Sequence, residues 1–301
     1  MIGDLAEHSA VPARTLVVGA GLIGTPIIET LRALGSEVRS VCRSARPEPH
    51  LRADLSTPAG RSLLAETVED WQPDRVVLVH GPGDVTWMED NEESATSTHV
   101  RTARIVSGRP TVLISTDNVF PGSAGCHPDT AVVRPHNAYG RVKFAAEQAL
   151  ADCPAAVIMR VSMVFGPRRQ GRTDFVNAAL ERAAAGQEFT VPTDQHLTPV
   201  YLDDVTTAVV AVLLAPPRPL TLHLAGPTQL SRYELARAAY RAAGAEPDLV
   251  RGVPRAQTSW ACRPAYSSLS NSDYSGFPGL HDWLPRDVPA ALSDLVLRNS
   301  A

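Results

Sequence analysis

The feature that most constrains this chain is a glycine pattern near its start, Gly19-Ala20-Gly21-Leu22-Ile23-Gly24. It follows Arg14-Thr-Leu-Val-Val, a short apolar run that reads as a buried strand, and it opens a stretch, 22–34, whose apolar residues recur at helical spacing up to Gly35. A G-x-G-x-x-G pattern between a strand and a helix has a mechanical meaning. Gly19 permits the tight turn, Gly21 lets a pyrophosphate approach the backbone, and Gly24 lets the helix pack closely on the sheet. The N–H groups at Leu22 and Ile23, with the positive end of the helix dipole, then face the phosphates. The loop therefore predicts a bound dinucleotide; the competing reading is glycines that serve only a strand–helix turn.

Downstream, strand and helix patterns alternate over short connections. Segments 37–42, 75–80, 111–115, 156–161 and 220–224 read as strands, and 61–69, 92–106, 139–151, 174–185 and 203–214 as helices. Ser231 with Glu234 three residues on is a capping-box pattern opening a further helix, and Asp204 reads as a helix cap. This rhythm predicts an α/β chain: a Rossmann-type doubly wound parallel sheet with a smaller, mainly C-terminal substrate-binding lobe. The polar, turn-rich run from Gly166 marks the boundary. Residues 1–165 are expected to form the NADP-binding Rossmann domain, with 195–225 returning to it. Residues 166–194 and 226–301 would form the substrate-binding lobe. The last fifty residues, rich in Pro, Ser and Gly, are expected to lie as irregular structure over a cleft.

Composition narrows the partners. A net charge of −4, dispersed arginines and 5% aromatic residues argue against nucleic acid. Cys42, Cys126, Cys153 and Cys262 lie far apart without CxxC or zinc spacing, which argues against a structural metal and for reduced thiols in a cytoplasmic protein. Residues 1–14 lack the apolar core of a signal peptide, and the longest apolar stretch, near 209–215, is too short to span a bilayer. A soluble cytoplasmic protein with no membrane partner is expected; a homodimer stays open.

The end of the second strand selects the cofactor. NAD sites place Asp or Glu there for the ribose hydroxyls, whereas an arginine accommodates a 2′-phosphate. Here it reads Val41-Cys-Arg-Ser-Ala-Arg46, with no acid. NADP(H) is preferred over NAD(H), with Arg43 the first phosphate contact and Arg46 the second; exposed loop arginines are the competing reading. Asp54 would meet the adenine edge or cap a helix. Farther on, Tyr139 and Lys143 form a Tyr-x-x-x-Lys pair, four apart and so on one helical face. A tyrosine titrates near ~10, and a neighbouring ammonium favours its phenolate. Such a tyrosine can hand a proton to a carbonyl oxygen as hydride arrives. The strand that ends Ser115-Thr116 lies just upstream.

At these residues a family resemblance enters. Ser115-Thr-Asp-Asn-Val-Phe-Pro-Gly122 and Asn137-Ala-Tyr-Gly-Arg-Val-Lys143 join the glycine loop, followed by Arg160-Val-Ser-Met-Val-Phe-Gly166, His223-Leu-Ala-Gly226, Ser231-Arg-Tyr-Glu-Leu-Ala236, and Arg263-Pro264 with Ser268-Leu-Ser-Asn271. Together they resemble an extended short-chain dehydrogenase/reductase, most similar to the dTDP-4-dehydrorhamnose reductase family, over nearly the whole chain. The resemblance implies that Thr116 bonds the substrate carbonyl, Tyr139 is the acid, and Lys143 holds the nicotinamide ribose and lowers the tyrosine pKa. It puts His80 and Gly81 on the cofactor side, and it gives His99, where the family commonly carries Asn, no role.

The departures fall on the substrate side. The family follows Ser-Thr-Asp with Tyr, where this chain has Asn118, and places Trp in the segment occupied by Met163. Cys126-His127-Pro128-Asp129 replaces the family's acidic turn. Thr116, Asp117, Asn118 and Met163 are the expected substrate contacts, with Arg168 and Arg263 meeting a diphosphate; Arg169 and Arg172 share that reading with solvated turn arginines. The leading expectation is an NADPH-dependent reductase of a keto group on a nucleotide-activated deoxysugar. The alternatives are the same chemistry on a non-sugar metabolite, an NAD-dependent sugar-nucleotide epimerase or dehydratase, and a dinucleotide-binding regulatory subunit.

Overall fold

Leu16, Val17 and Val18 are completely buried, as a strand covered on both faces requires. They lie in β1 (Arg14–Val18) of a computed structural model that describes residues 11–44, 50–81, 83–168 and 173–300. The chain continues through α1 (Gly24–Ala33), β2 (Glu37–Cys42), β3 (His50–Arg52), α2 (Pro58–Trp71), β4 (Arg75–Leu78), α3 (Val85–Val106), β5 (Thr111–Thr116), α4 (Ala138–Gln148) and β6 (Ala156–Val161). After β7 (Val164–Phe165), α5 (Phe175–Ala184), β8 (Phe189–Pro192), β9 (His196–Leu197) and β10 (Val200–Tyr201) come α6 (Leu202–Leu214) and β11 (Leu220–Leu224). β12 (Leu230–Ser231), α7 (Arg232–Ala242), β13 (Val250–Val253), β14 (Tyr266–Ser267) and α8 (Val288–Ser300) complete it.

The main sheet runs β3-β2-β1-β4-β5-β6-β11, with every pairing parallel. Strand order reverses between β1 and β4, and ligands of open parallel sheets bind at the carboxyl ends of such strands. The expected doubly wound fold is borne out. One face is covered by α1 and α6, which contribute Ile27, Leu31, Val205 and Val209; the other by α2, α3 and α4, with Leu64, Val106 and Ala146. A second core joins α5, α7 and α8 through Leu180, Leu235, Tyr240 and Leu295. Around it lie small sheets: β9 between β12 and β14, β8 beside β13, and β7 beside β10.

Four expectations change. The last fifty residues contain a regular helix, α8, whose Val288, Ala291, Leu292 and Leu295 fall at helical spacing and are buried. Pro, Ser and Gly upstream masked that period. Helix α3 starts at Val85 rather than 92, because the Asp84 carboxylate caps it by accepting from the N–H groups of Thr86 and Trp87; its backbone is kinked at Asn91, the point from which the sequence pattern is regular. Asp204 does not cap α6. Its carboxylate receives the backbone N–H of Arg286 at 2.8 Å and the Nε at 3.0 Å, tying the C-terminal segment to the core. The span 195–225 divides: β9 belongs to the small sheet, while α6 and β11 rejoin the main one. Tyr274, Phe277 and Leu280, from the stretch assigned to the second lobe, pack in the first core.

The sheet and α4 are locked by a buried ion pair. Glu147 accepts from Arg160 at 3.1 Å (Nε) and 2.8 Å (Nη2), and from the Ser115 hydroxyl. Both charged side chains are more than nine-tenths buried. Removing one partner of such a pair leaves the other charge uncompensated, at a cost of about 3–5 kcal/mol. Glu147→Ala should lower the urea-unfolding free energy by that amount; a loss below ~1 kcal/mol would show that the pair does not hold the helix.

Candidate active site

The glycine loop behaves as its spacing requires. Gly19 has φ +114°, and a Cβ there would come within 2.7 Å of the His80 backbone nitrogen. A Cβ on Gly24 would fall 1.8 Å from the Gly19 carbonyl oxygen, so α1 could not approach the loop. A Cβ on Gly21 would meet nothing within 4 Å; that residue faces open space. Ile23 is the N-cap of α1, which puts the N–H groups of the first turn at the loop.

The loop forms one wall of a cavity of about 1190 Å³, large enough for a dinucleotide. Gly19, Gly21, Arg43, Asp54, His80 and Gly81, all singled out by sequence, line it. Arg61, Trp87 and Arg101 line it too and were not foreseen. Arg61 donates to the carbonyls of Leu55 and Ser56, which holds the loop after β3. Asp54 does not cap a helix: its Oδ1 accepts from the Ser56 N–H at 3.0 Å and hydroxyl at 2.7 Å at the cavity's edge, and Thr57 caps α2. Arg46, Arg169 and Arg172 lie outside the described residues.

Tyr139 and Lys143 stand on the first turns of α4. Asn137 caps this helix, its side-chain oxygen accepting from the Gly140 N–H at 2.8 Å. A Cβ on Gly140 would lie 2.0 Å from the Asn118 carbonyl oxygen. Glycine at this position is what lets the helix close on the turn that follows Thr116. Tyr139 packs against Met88, Ala95, Ala138 and Val142. Lys143 is buried, and burial brings its ammonium down to about 8, with Glu147 opposing the shift. Burial, reinforced by Lys143, drives His80 down to about 3, so its imidazole is neutral. His99 stacks on it at 4.6 Å and is held well below its usual value, by burial and then by its neighbours His80 and Lys143.

On the other side, Thr116, Asp117 and Asn118 form a closed network. The Thr116 hydroxyl donates to Asp117 Oδ1 at 3.0 Å, and the Asn118 amide donates to the same oxygen at 2.7 Å. Asn118 Oδ1 accepts from Asn137 at 2.9 Å. Asn118 therefore joins the Thr116 turn to the cap of α4. Thr116 must rotate its hydroxyl away from Asp117 to donate to a carbonyl. Burial pushes the Asp117 carboxyl up to about 6, against the hydroxyls of Thr116 and Ser162, the Asn118 amide and the charge of Arg232.

Arg232, Gln195, Phe175 and Trp260 are the residues the sequence did not single out. Arg232 is buried, donates to Gln195 at 2.6 Å, and reaches Met163 Sδ at 3.6 Å. Its guanidinium lies over the rings of Phe175 (4.7 Å) and Trp260 (5.5 Å). Met163 thus contacts an arginine where the family pattern has an aromatic, and Phe175 with Trp260 supplies aromatic surface from elsewhere. The sequence marked Arg232 only as the residue after a cap. Arg263 lies close enough to Arg232 to depress its pKa. Arg168 is exposed and paired with Glu181 on α5, not with this cluster.

Comparison with known proteins places the architecture. Residues 13–285 match the model of the RmlD substrate binding domain family. The chain belongs to that family. A relative named probable dTDP-4,6-dihydroxy-2-methyloxan-3-one 4-ketoreductase, from Streptomyces antibioticus, is 31% identical over 284 residues, covering 90% of this chain and 92% of the relative. A dTDP-4-dehydrorhamnose reductase from Mycobacterium tuberculosis is 34% identical over 266 residues, covering 78% and 85%. The solved dTDP-4-dehydrorhamnose reductase from Bacillus anthracis, in complex with NADP, superposes with a TM-score of 0.77 at 20% identity, covering 95% of this chain and 99% of that one. The resemblance read from the motifs is borne out.

Asp117 gives this site a pH signature. Its carboxyl is raised from 3.8 to about 6 on folding, so the folded state binds more protons than the unfolded one between those values. The stability this contributes is complete below pH 3.8 and lost as pH rises through about 6. Asp117→Asn removes the titration. Its unfolding free energy should therefore gain on wild type by about 2 kcal/mol between pH 4 and 7, read from urea curves at each pH; parallel profiles would show that Asp117 does not titrate as described.

Proposed function

We propose that this protein is an NADPH-dependent reductase of a keto group on a nucleotide-activated deoxysugar. The observation that carries the reading is the packing of Gly140 on the Asn118 carbonyl, which brings the helix of Tyr139 and Lys143 against the turn of Thr116. That turn lies at the carboxyl end of β5, in the same sheet as the glycine loop.

The residues fit a dinucleotide. Gly21 leaves the loop open, the cavity has the volume, and Arg43 lines it, near enough to Asp54 for its charge to lower that carboxyl's pKa. A 2′-phosphate suits a guanidinium, and the relative from Bacillus anthracis was solved in complex with NADP. When bound, the nicotinamide would supply hydride. Lys143 would hold the adjoining ribose, and its charge, confined in a buried site, favours the Tyr139 phenolate and so eases proton release. Tyr139 would give its proton to the carbonyl oxygen while Thr116 orients that oxygen. A nucleotide-sugar substrate accords with the names of the relatives. The second reading keeps this chemistry and replaces the sugar by a non-sugar metabolite; the meeting of Met163 with Arg232 favours it, because the family's sugar-side aromatic is missing there.

Tyr139→Phe should lower kcat for NADPH oxidation by about 10²–10⁴ while a fluorescence titration with NADPH stays unchanged; turnover at the wild-type rate would overturn the assignment. Arg43→Ala should raise the KM for NADPH by roughly tenfold or more, the worth of a charged hydrogen bond, and leave that for NADH within about twofold. Equal effects on both cofactors would remove Arg43 from the phosphate site.

A further inference from the structure

We propose that the groove between α2 and α3 is an anion-binding site for a phosphoryl group, and that its occupation weakens binding in the adjoining dinucleotide cavity. The groove lies apart from Thr116, Tyr139 and Lys143, and only the second half of the inference rests on the cofactor reading.

The groove has a volume of about 750 Å³. Arg61, Arg101 and Arg104 line it, with the hydroxyls of Ser62, Thr96 and Ser97, and no carboxylate does. The acids that follow on α2, Glu66, Glu69 and Asp70, are exposed and lie outside the lining. Among the described residues, Arg61 bonds the carbonyls of Leu55 and Ser56 through Nη1, and Arg101 bonds the Ser97 hydroxyl through Nε. One nitrogen thus holds each guanidinium in place, and the other N–H groups stay in reserve. The arrangement has a cost. Arg101 and Arg104 stand three apart on α3, so like charges are neighbours on the helix surface. Arg61 stands one turn into α2, where the helix dipole opposes a cation; only Arg104, in the last turn of α3, is favoured by its helix. A chain with a net charge of −4 therefore gathers three cations around one groove with no acid lining it. Guanidinium forks and hydroxyls are the donors that suit phosphoryl oxygens. Val100 and Ile105 complete the lining with apolar surface, which suits a phosphoryl group carried on an organic body. Arg61 and Arg101 also line the dinucleotide cavity. Two anions drawing on the same guanidiniums repel each other, so groove and cavity lower each other's affinity by one common factor.

Free phosphate and an organic phosphate share this chemistry. Calorimetric titration of the full chain with inorganic phosphate and with phenyl phosphate separates them, at constant ionic strength and with NADP in saturating excess. At least one probe should bind wild type. Arg104 lines the groove but not the dinucleotide cavity. Arg104→Gln should therefore weaken the probe by about tenfold or more, the worth of a charged hydrogen bond, and Arg104→Lys should recover part of the loss. Tighter binding of phenyl phosphate assigns an organic phosphate; equal or tighter binding of inorganic phosphate assigns the free anion. In NADPH fluorescence titrations, rising probe should raise the wild-type Kd to a plateau about fivefold or more above its starting value. Arg104→Gln should match wild type without probe and should not respond to it. A rise that never levels, or one that Arg104→Gln shares, marks competition inside the dinucleotide cavity and overturns the proposal. It fails equally if neither probe binds wild type, if Arg104→Gln binds both as tightly, or if the probes leave NADPH binding unchanged. Failure of NADP itself to bind would refute the cofactor reading, and the calorimetric comparison of Arg104→Gln with wild type would still decide the groove.

Discussion

Helix α4 is fixed at both ends, and the rest of the site depends on it. At its start Asn137 caps the first turn and bonds Asn118; near its end Glu147 is clasped by Arg160 and Ser115. Ten residues separate these anchors, about 15 Å of helix, and Tyr139 and Lys143 lie between them. Both anchors lead to the ends of β5 and β6, so the position of the tyrosine relative to Thr116 is set by the sheet rather than by a loop. Displacements of an ångström at a reacting centre can cost about a hundredfold in rate. A buried ion pair, often neutral for stability, has a structural use here as a fixed register between helix and sheet.

The same helix divides two electrostatic environments. On the cofactor side, Lys143, His80 and His99 share a buried region. The lysine keeps its charge at neutral pH while the imidazoles give theirs up, because desolvation acts on all three groups but falls on histidines that begin near neutrality. Lys143, four residues along α4 from Tyr139, therefore keeps its charge among neutral imidazoles. On the other side of the Thr116 turn Asp117 and Arg232 lie in one buried region, where burial pushes the carboxyl up and the guanidinium down while each charge opposes the other's shift.

The parts of this arrangement legible in the sequence are those set by local periodicity and by short motifs. Buried parallel strands such as 156–161 are continuous apolar runs, and the glycine loop, Thr116, Tyr139 and Lys143 each sit within a recognisable segment. What was not legible depends on residues far apart in the chain. Phe175, Gln195, Arg232 and Trp260 meet only through the packing of the second lobe, and no spacing rule connects them. Asn118 is the instructive case. Its place in the motif pointed to substrate, while its bonds to Asp117 and Asn137 follow from the close approach of α4, which no motif announces. Asp204 misled for a related reason: an acid in a first helical turn has the look of a cap, and its real partner, Arg286, lies 82 residues on.

The C-terminal segment explains why the two lobes act as one frame for the cleft. After Arg263 the chain runs back across the molecule. The Tyr266 N–H donates to the Gly122 carbonyl, Ser268 accepts from the N–H groups of Cys126 (on its hydroxyl) and His127 (on its carbonyl), and Asn271 makes a reciprocal pair of bonds with Ala225. Ser272 then bonds Asp129, and Tyr274 enters the core beside β11. The loop after Thr116, the strand β11 and the substrate-side arginine are thereby stitched by one strand-like passage. Asn137 adds a bond to the Cys262 carbonyl, linking the cap of α4 to the residue before Arg263. The two lobes are therefore tied together by both backbone and side-chain hydrogen bonds. Discrimination between carbonyl compounds then falls to the side chains that line that gap, because the frame itself has few ways to yield.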